Sequence, residues 1–180
     1  MSYDINLNDP VTGEVAQVPG HLMTGGTYKA DYHPETGTFT PALNTCAELN
    51  ITYNYSSYYY EVYPEKGIRE IYGLSGLDSI KILENMISFL ENKYKKKGIN
   101  EWITTKRDET VFYDENGKKI ENLTDYIFNK KKYESRKEIV ERYEGYNTDY
   151  WKPTAANAIK PLYQLMTLAK MRPDCIWEGD

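Results

Sequence analysis

Glu48, Asn50, Thr52 and Asn54 occupy every second position of the run ELNITYNY, with Leu49, Ile51, Tyr53 and Tyr55 between them. Alternate residues of a strand share a face. The spacing therefore predicts one row of hydrogen-bonding side chains and one apolar row. Asparagine is depleted in strands because its side chain competes with the backbone ladder. Asn50 and Asn54 thus oppose local preference, and such conflicts are expected where function or strain resides. Three readings of the row stay open: the solvent face of a half-exposed sheet, a polar binding site, and a buried hydrogen-bond network.

Further chemistry sits nearby in the chain. Tyr55, Tyr58 and their neighbours Tyr53, Tyr59, Tyr60 and Tyr63 offer flat faces on which a base or ring could stack, although core packing by half of them is the readier use, since six exposed tyrosines would invite aggregation. Arg69, in GIREIYG with Tyr72, is the one cation between Gly67 and Gly73. A guanidinium there can hold a phosphate or carboxylate bidentately or pair with Glu65 or Glu70. Gly25-Gly26-Thr27 can present backbone N–H groups to an anion. Trp151, Thr154 and Asn157 gather at the entry of a predicted helix, whose first turn carries free donors and a positive dipole end; Thr154 equally suits a plain capping role.

No catalytic constellation is legible. With only His21 and His33, no histidine metal set can form, and Cys46 and Cys175 lie in no metal or redox spacing. GxxxxGK[ST], GxGxxG and GxSxG are all absent. The expectation is a protein with no catalytic residue, no metal and no cofactor, with a nucleotide hydrolase or transferase using Glu48 as general base as the minor alternative.

The elements that must position these residues predict an α+β fold: a small, mainly antiparallel sheet and two core helices. Tyr3–Leu7 reads as a strand, and Glu14–Val18 as its return after the Asp9–Gly13 turn, stopped by Pro19-Gly20. Residues 31–43 read as a long loop with room for one short strand. Thr45–Tyr55 reads as a strand, and Ser56-Ser57 as the cap of a short helix ending before Pro64. Ser75 with Asp78 starts a core helix over about 75–94 that buries Ile80, Leu83, Ile87, Leu90 and Tyr94. Thr154 starts a second, over about 154–172, with a kink at Pro161. A tail carrying Trp177 and Asp180 follows.

Residues 95–149 differ in kind. They hold 25 charged residues, 13 basic and 12 acidic, against 24 in the remaining 125 residues. Val111–Ile120 reads as a hairpin around Glu115-Asn116-Gly117, and Leu123–Tyr143 as an exposed charged helix. The span is expected to be a hairpin–helix insertion packed on a single domain covering residues 1–180.

The chain carries a net charge of -5, with a pI near 5.2. That argues against general nucleic-acid binding, which needs a basic face. No apolar run reaches the ~20 residues of a membrane span. The first residues lack the basic and apolar regions of a secretory signal, so a cytoplasmic setting with reduced thiols is expected.

ELNITYNYSSYYY, GIREIYG, DYWKPTAANAIKPL and the final WEGD resemble a family of small, largely uncharacterised proteins of phages and prophages. The similarity covers residues 1–30, 45–94 and 149–180. It implies the cytoplasm of an infected or lysogenic bacterial host, and an anti-defence role by class. The expected function is a non-enzymatic binding protein that sequesters a nucleotide-like immune signal. Its ligand residues would be Gly26, Thr27, Glu48, Asn50, Thr52, Asn54, Tyr55, Tyr58, Arg69, Tyr72, Trp151, Thr154 and Asn157, in a fold that allows a homo-oligomer. The alternative is a module that binds a host defence enzyme or serves as a phage structural or accessory protein.

Overall fold

A computed structural model describes residues 2–26, 30–120 and 123–180, and the fold is α+β. The chain divides into two compact units, Met1–Trp102 with Gly145–Asp180, and Ile103–Glu144. The charge-dense span 95–149 contains the second unit and overruns it at both ends.

In the first unit, β1 (Ser2–Asn8) is the centre of an antiparallel three-stranded sheet between β6 (Glu48–Thr52) and β9 (Ile176–Gly179). Its apolar face is Tyr3, Ile5 and Leu7 beside Leu49, Ile51 and Trp177, all closed to solvent. Two helices, α2 (Gly76–Tyr94) and α4 (Ala155–Met171), pack against each other. Both start where sequence chemistry places them. Ser75 Oγ accepts the Asp78 N–H and bonds the Asp78 carboxylate, and Thr154 Oγ1 accepts the Asn157 N–H, satisfying N–H groups that the first turn leaves free. The buried stripe of α2 is Leu83, Met86, Ile87, Leu90 and Tyr94. Helix α4 continues through Pro161 and buries Ile159, Leu162, Leu165, Leu168 and Ala169. Trp177 joins sheet to helix, its indole N–H donating to Ser79 Oγ at 2.8 Å.

Several local expectations are corrected. The return of β1 is a single bridge, Asn8 with Val15; β2 (Gln17–His21) then runs through Pro19-Gly20 and pairs irregularly with β5 (Asn44–Cys46). The predicted loop 31–43 holds a hairpin, β3 (Ala30–His33) with β4 (Thr38–Pro41). Strand β6 stops at Thr52, because its hydroxyl accepts the Asn54 N–H and turns the chain into a 3-10 turn over Tyr53–Tyr55. Helix α1 (Ser56–Val62) follows without a side-chain cap, since Ser56 Oγ donates to the Tyr53 carbonyl. The tail is strand β9, recruited by pairing with β1.

The second unit is a long antiparallel ribbon, β7 (Thr104–Asp114) with β8 (Tyr133–Tyr143), joined through the short helix α3 (Leu123–Phe128). The predicted charged helix over Leu123–Tyr143 is therefore mostly strand. The predicted hairpin shrinks to a turn whose return touches β7 through a Tyr113–Lys119 bridge and an Ile120 N–H bond to the Phe112 carbonyl at 2.8 Å. No helix among the described residues is long and apolar enough to cross a membrane.

Candidate functional site

The row Glu48, Asn50, Thr52, Asn54 does not stay together. Glu48 and Asn50 lie on the polar face of the three-stranded sheet, opposite Asn6 and Asp4 of β1. Asn50 donates to Ser2 Oγ at 2.8 Å and to the Asp4 carboxylate, and Glu48 accepts from Asn44 at 3.3 Å. These cross-strand bonds explain how an asparagine is tolerated in the strand. Thr52 is buried and caps the turn after β6. Asn54 leaves the strand, and its side-chain amide donates to the Trp151 carbonyl at 2.8 Å.

That bond belongs to a larger pattern. The loop into α4 and the helix's first turn offer a series of main-chain carbonyls, and side chains from residues 54–59 take them up. Tyr55 donates to the Tyr150 carbonyl, Tyr58 to that of Pro153 at 2.6 Å, and Tyr59 to that of Ala158 at 2.9 Å. Asn157, 3% exposed, closes the loop from inside: its amide donates to the carbonyls of Asp149 and Lys152, and its oxygen accepts the Asn147 N–H. A buried carbonyl without a donor costs roughly 1–3 kcal/mol, so these tyrosines and asparagines are structural groups. Burial pushes the phenols of Tyr55 and Tyr59 well above the usual tyrosine range, with Asp149 adding to the effect at Tyr55. Thr154 is spent on its cap. Trp151 leaves its ring half in solvent, against Tyr150 with ring centroids 4.6 Å apart. The entry of α4 is thus a satisfied junction, and Asn54, Tyr55, Tyr58, Thr154 and Asn157 are brought together for that purpose.

Gly25 and Gly26 contribute to the same junction. Gly25 has φ of 71° and lies so close to the Asn50 carbonyl that a side chain would overlap it; its N–H donates to Gln164 at 2.9 Å. One of the N–H groups predicted to face an anion, that of Gly25, is thus engaged within the chain. Gly26 has φ of 106°, and a Cβ there would touch the Tyr55 hydroxyl at 3.5 Å. Thr27 lies outside the described residues.

Arg69 is different. Neither Glu65 nor Glu70 pairs with it, and among the described residues it forms no ion pair with an acidic side chain. Its guanidinium carbon lies 4.8 Å from the centroid of the Tyr3 ring and 5.9 Å from that of Tyr53. Its Nε donates to the Asp180 main-chain oxygen at 3.0 Å. Its terminal nitrogens reach the hydroxyls of Tyr60 and Tyr53 at 3.4 and 3.3 Å, long for hydrogen bonds. Tyr72 Oη adds a 3.5 Å contact to the same Asp180 oxygen, whose side chain accepts the Asp4 N–H at 3.0 Å. Burial raises the Tyr72 phenol, with Arg69 partly opposing it. Burial also works against the charge of Arg69, but the oxygens of Tyr3, Tyr53, Tyr60 and Tyr72 outweigh it and hold the guanidinium protonated. A Cβ at Gly179 would overlap the Tyr72 hydroxyl and come within 2.8 Å of the Asp4 carbonyl, so the approach of β9 to this cluster requires glycine. Arg69 and Tyr72 were legible as candidates. Tyr3 and Asp180 were not, because the sheet brings them in from the far ends of the chain.

Two other clusters are internally closed. Asp9, Asp174 and Cys175 place their ligand atoms within 4.8 Å of one another. Arg172 occupies that space, bonding Asp9 at 3.1 Å and Asp174 at 3.0 Å. The Arg172 bond lowers Asp174 to about 2. His21 accepts the Met23 N–H at Nδ1, so its Nε2 carries the proton donated to the Cys46 carbonyl at 3.1 Å. His33 bonds Thr40 at 2.8 Å. Both histidines serve their hairpins.

Compared with known proteins, the chain matches no family model, no curated protein and no solved structure.

Proposed function

We propose that the chain is a non-enzymatic binding protein whose ligand is a small nucleotide-like anion held at Arg69. The observation that carries this reading is a charged guanidinium stacked at 4.8 Å over a tyrosine ring, with its terminal nitrogens facing phenols rather than carboxylates. A guanidinium so placed is ready for a bidentate acceptor such as a phosphate, and the surrounding rings suit a base. The ligand set is thereby narrowed to Arg69, Tyr72, Tyr53, Tyr60 and the edge residue Asn50, whereas the junction residues at α4 serve the fold. In the phage setting that the resemblance implies, capture without turnover removes a nucleotide-derived immune signal from the host. Thermal-shift and calorimetric titration against cyclic nucleotides and NAD-derived signals is the test. A response to one class, lost in Arg69→Ala with the melting curve otherwise retained, supports the reading; a flat response across the panel overturns it.

A second reading, a module that grips a host protein, is favoured by one feature of the ribbon unit. Ile127, Phe128, Ile139 and Tyr143 are all more than half exposed on a unit with little core of its own, and exposed apolar and aromatic groups are common interface anchors. A stoichiometric partner retained on the full chain and lost on Phe128→Ser would establish it.

A further inference from the structure

The ribbon sheet has two strands, so among the described residues the outer edge of β8 carries no strand. Which of its backbone groups point outward follows from the register. In an antiparallel pair, residues alternate between those that bond the neighbouring strand and those that face away. The Glu144 N–H donates to the Ile103 carbonyl at 3.0 Å, in line with the continuous pairing of β7 and β8. Val140 and Arg142, in step with Glu144, therefore bond β7. The N–H and C=O groups of Lys137, Ile139, Glu141 and Tyr143 point away from it. The opposite edge obeys the same parity: Phe112 and Asp114 spend their outward groups on Ile120 and Lys118.

An outward row of donors and acceptors is a template for another strand. Native edges are commonly blunted by proline or bulges; β8 has no proline and an unbroken register, and it exposes Ile139 by 71%. Its charges decide the occupant. When two copies of a strand pair antiparallel about a two-fold axis normal to the sheet, opposed residues lie symmetrically about one central residue. The strand has 11 residues, so overlaps of seven or more must be centred between Arg136 and Val140. Centring on Arg136, Lys137 or Glu138 puts a like-charged pair on the axis itself. Centring on Ile139 sets Arg136 against Arg142 twice. Centring on Val140 opposes no like charges: Val140 meets Val140, Ile139 meets Glu141, Glu138 meets Arg142, and Lys137 meets Tyr143. It also answers a conflict within one chain. Glu138 faces Glu109 across the ribbon; Arg142 takes Glu109, while Glu138 is held by the Tyr113 hydroxyl at 2.6 Å. The Arg142 of a second copy would supply Glu138 with a cation, and a guanidinium has donors enough to serve both carboxylates.

We propose that β8 pairs with β8 of a second copy of this chain, centred on Val140, to give a continuous four-stranded sheet. Each copy contributes a seven-residue stretch, 137–143, and an interface this small makes a weak, concentration-dependent dimer. The test is sedimentation of the full chain from micromolar to millimolar concentration, with amide exchange read at both ends of the range. A reversible dimer is expected. Its formation should protect the amides of Lys137, Ile139, Glu141 and Tyr143, while those of Glu138 and Val140 are protected already in the monomer. Ile139→Pro removes only an outward N–H, a position where an edge strand tolerates proline. It should weaken the dimer about thirtyfold, from two lost hydrogen bonds per dimer. A wild-type chain that stays monomeric throughout overturns the proposal. So does a dimer that leaves those four amides unprotected, or one that Ile139→Pro forms equally well.

Discussion

Trp177, Tyr3, Tyr55, Tyr58 and Tyr59 are all closed to solvent in the unit formed by Met1–Trp102 and Gly145–Asp180, packed with the aliphatic faces of α2 and α4. In the Ile103–Glu144 unit, among the described residues, only Val111 and Glu144 are buried side chains in the ribbon and its end. What replaces a core there is a polar ladder along one face. Glu144 takes Thr105 at 2.5 Å and Arg107 at 3.0 Å, Arg142 takes Glu109, Tyr113 takes Glu138, and the Arg136 guanidinium lies 4.8 Å from the Tyr113 ring centroid. An isolated two-stranded ribbon is marginal in water. The first unit is thus stabilised by removing apolar area from water, the second by many small, directional and partly screened contacts.

The largest expected effect is on the first kind of unit. Trp177→Ala removes its bulkiest fully buried side chain and the partner of Ser79. It should cost about 3–5 kcal/mol, read as a fall in the denaturant midpoint of the first unit. A loss below about 1 kcal/mol would mean that β9 is not part of the core.

Glu144→Ala should cost less, about 2 kcal/mol, and in a different place. The carboxylate is fully buried against an Arg107 side chain that is 19% exposed. Its removal should raise amide exchange along β7 and β8 while leaving α2 and α4 unchanged. Faster exchange in the helices as well would break the comparison, because the two units would then open together.

The same contrast governs what the sequence discloses. Helices α2 and α4 are legible because amphipathic spacing and a capping hydroxyl are local signals; in α2 the expected Leu83, Ile87, Leu90 and Tyr94 are buried, whereas Ile80 is only half-buried. Strand β8 is not, since its charged residues are compatible with helix and only pairing with β7 selects a strand. The four residues of β9 carry too little pattern to outweigh a loop reading until β1 pairs with them. At the site, the tyrosine run is visible but its purpose is not: Tyr55 and Tyr58 find their carbonyls 95 residues on, and Asn54 finds its own 97 residues on. Spacing within a motif holds no record of such partners. Arg69 stood out through its isolation between glycines, and it is the candidate whose terminal nitrogens the fold leaves on phenols.

Single-atom changes sharpen the distinction between structural and ligand-facing tyrosines. Tyr59→Phe removes a donor from the Ala158 carbonyl and should cost about 1 kcal/mol in a thermal melt. Tyr60→Phe touches only a 3.4 Å contact with Arg69 and should leave the melt unchanged while altering any ligand response. Equal melting shifts for the two would place Tyr60 in the structural set.

The smallest effect concerns acid. The Arg172 bond depresses the Asp174 carboxyl to about 2, and backbone N–H groups of Val11 and Thr12 lead the lowering at Asp9, with Arg172 contributing after them. A carboxyl whose folded value lies below its unfolded value, near 3.9, stabilises the fold above that unfolded value. The contribution fades as pH falls toward about 2, because the unfolded chain then binds the proton more readily. Both carboxylates sit at the solvent side of the first unit, so screening keeps the effect small. Urea midpoints measured between pH 4 and 2 should fall less steeply in Asp174→Asn than in the native chain. The difference should vanish above pH 5, where both states are ionised. An unchanged acid slope in the variant would show that Asp174 carries no part of the acid response.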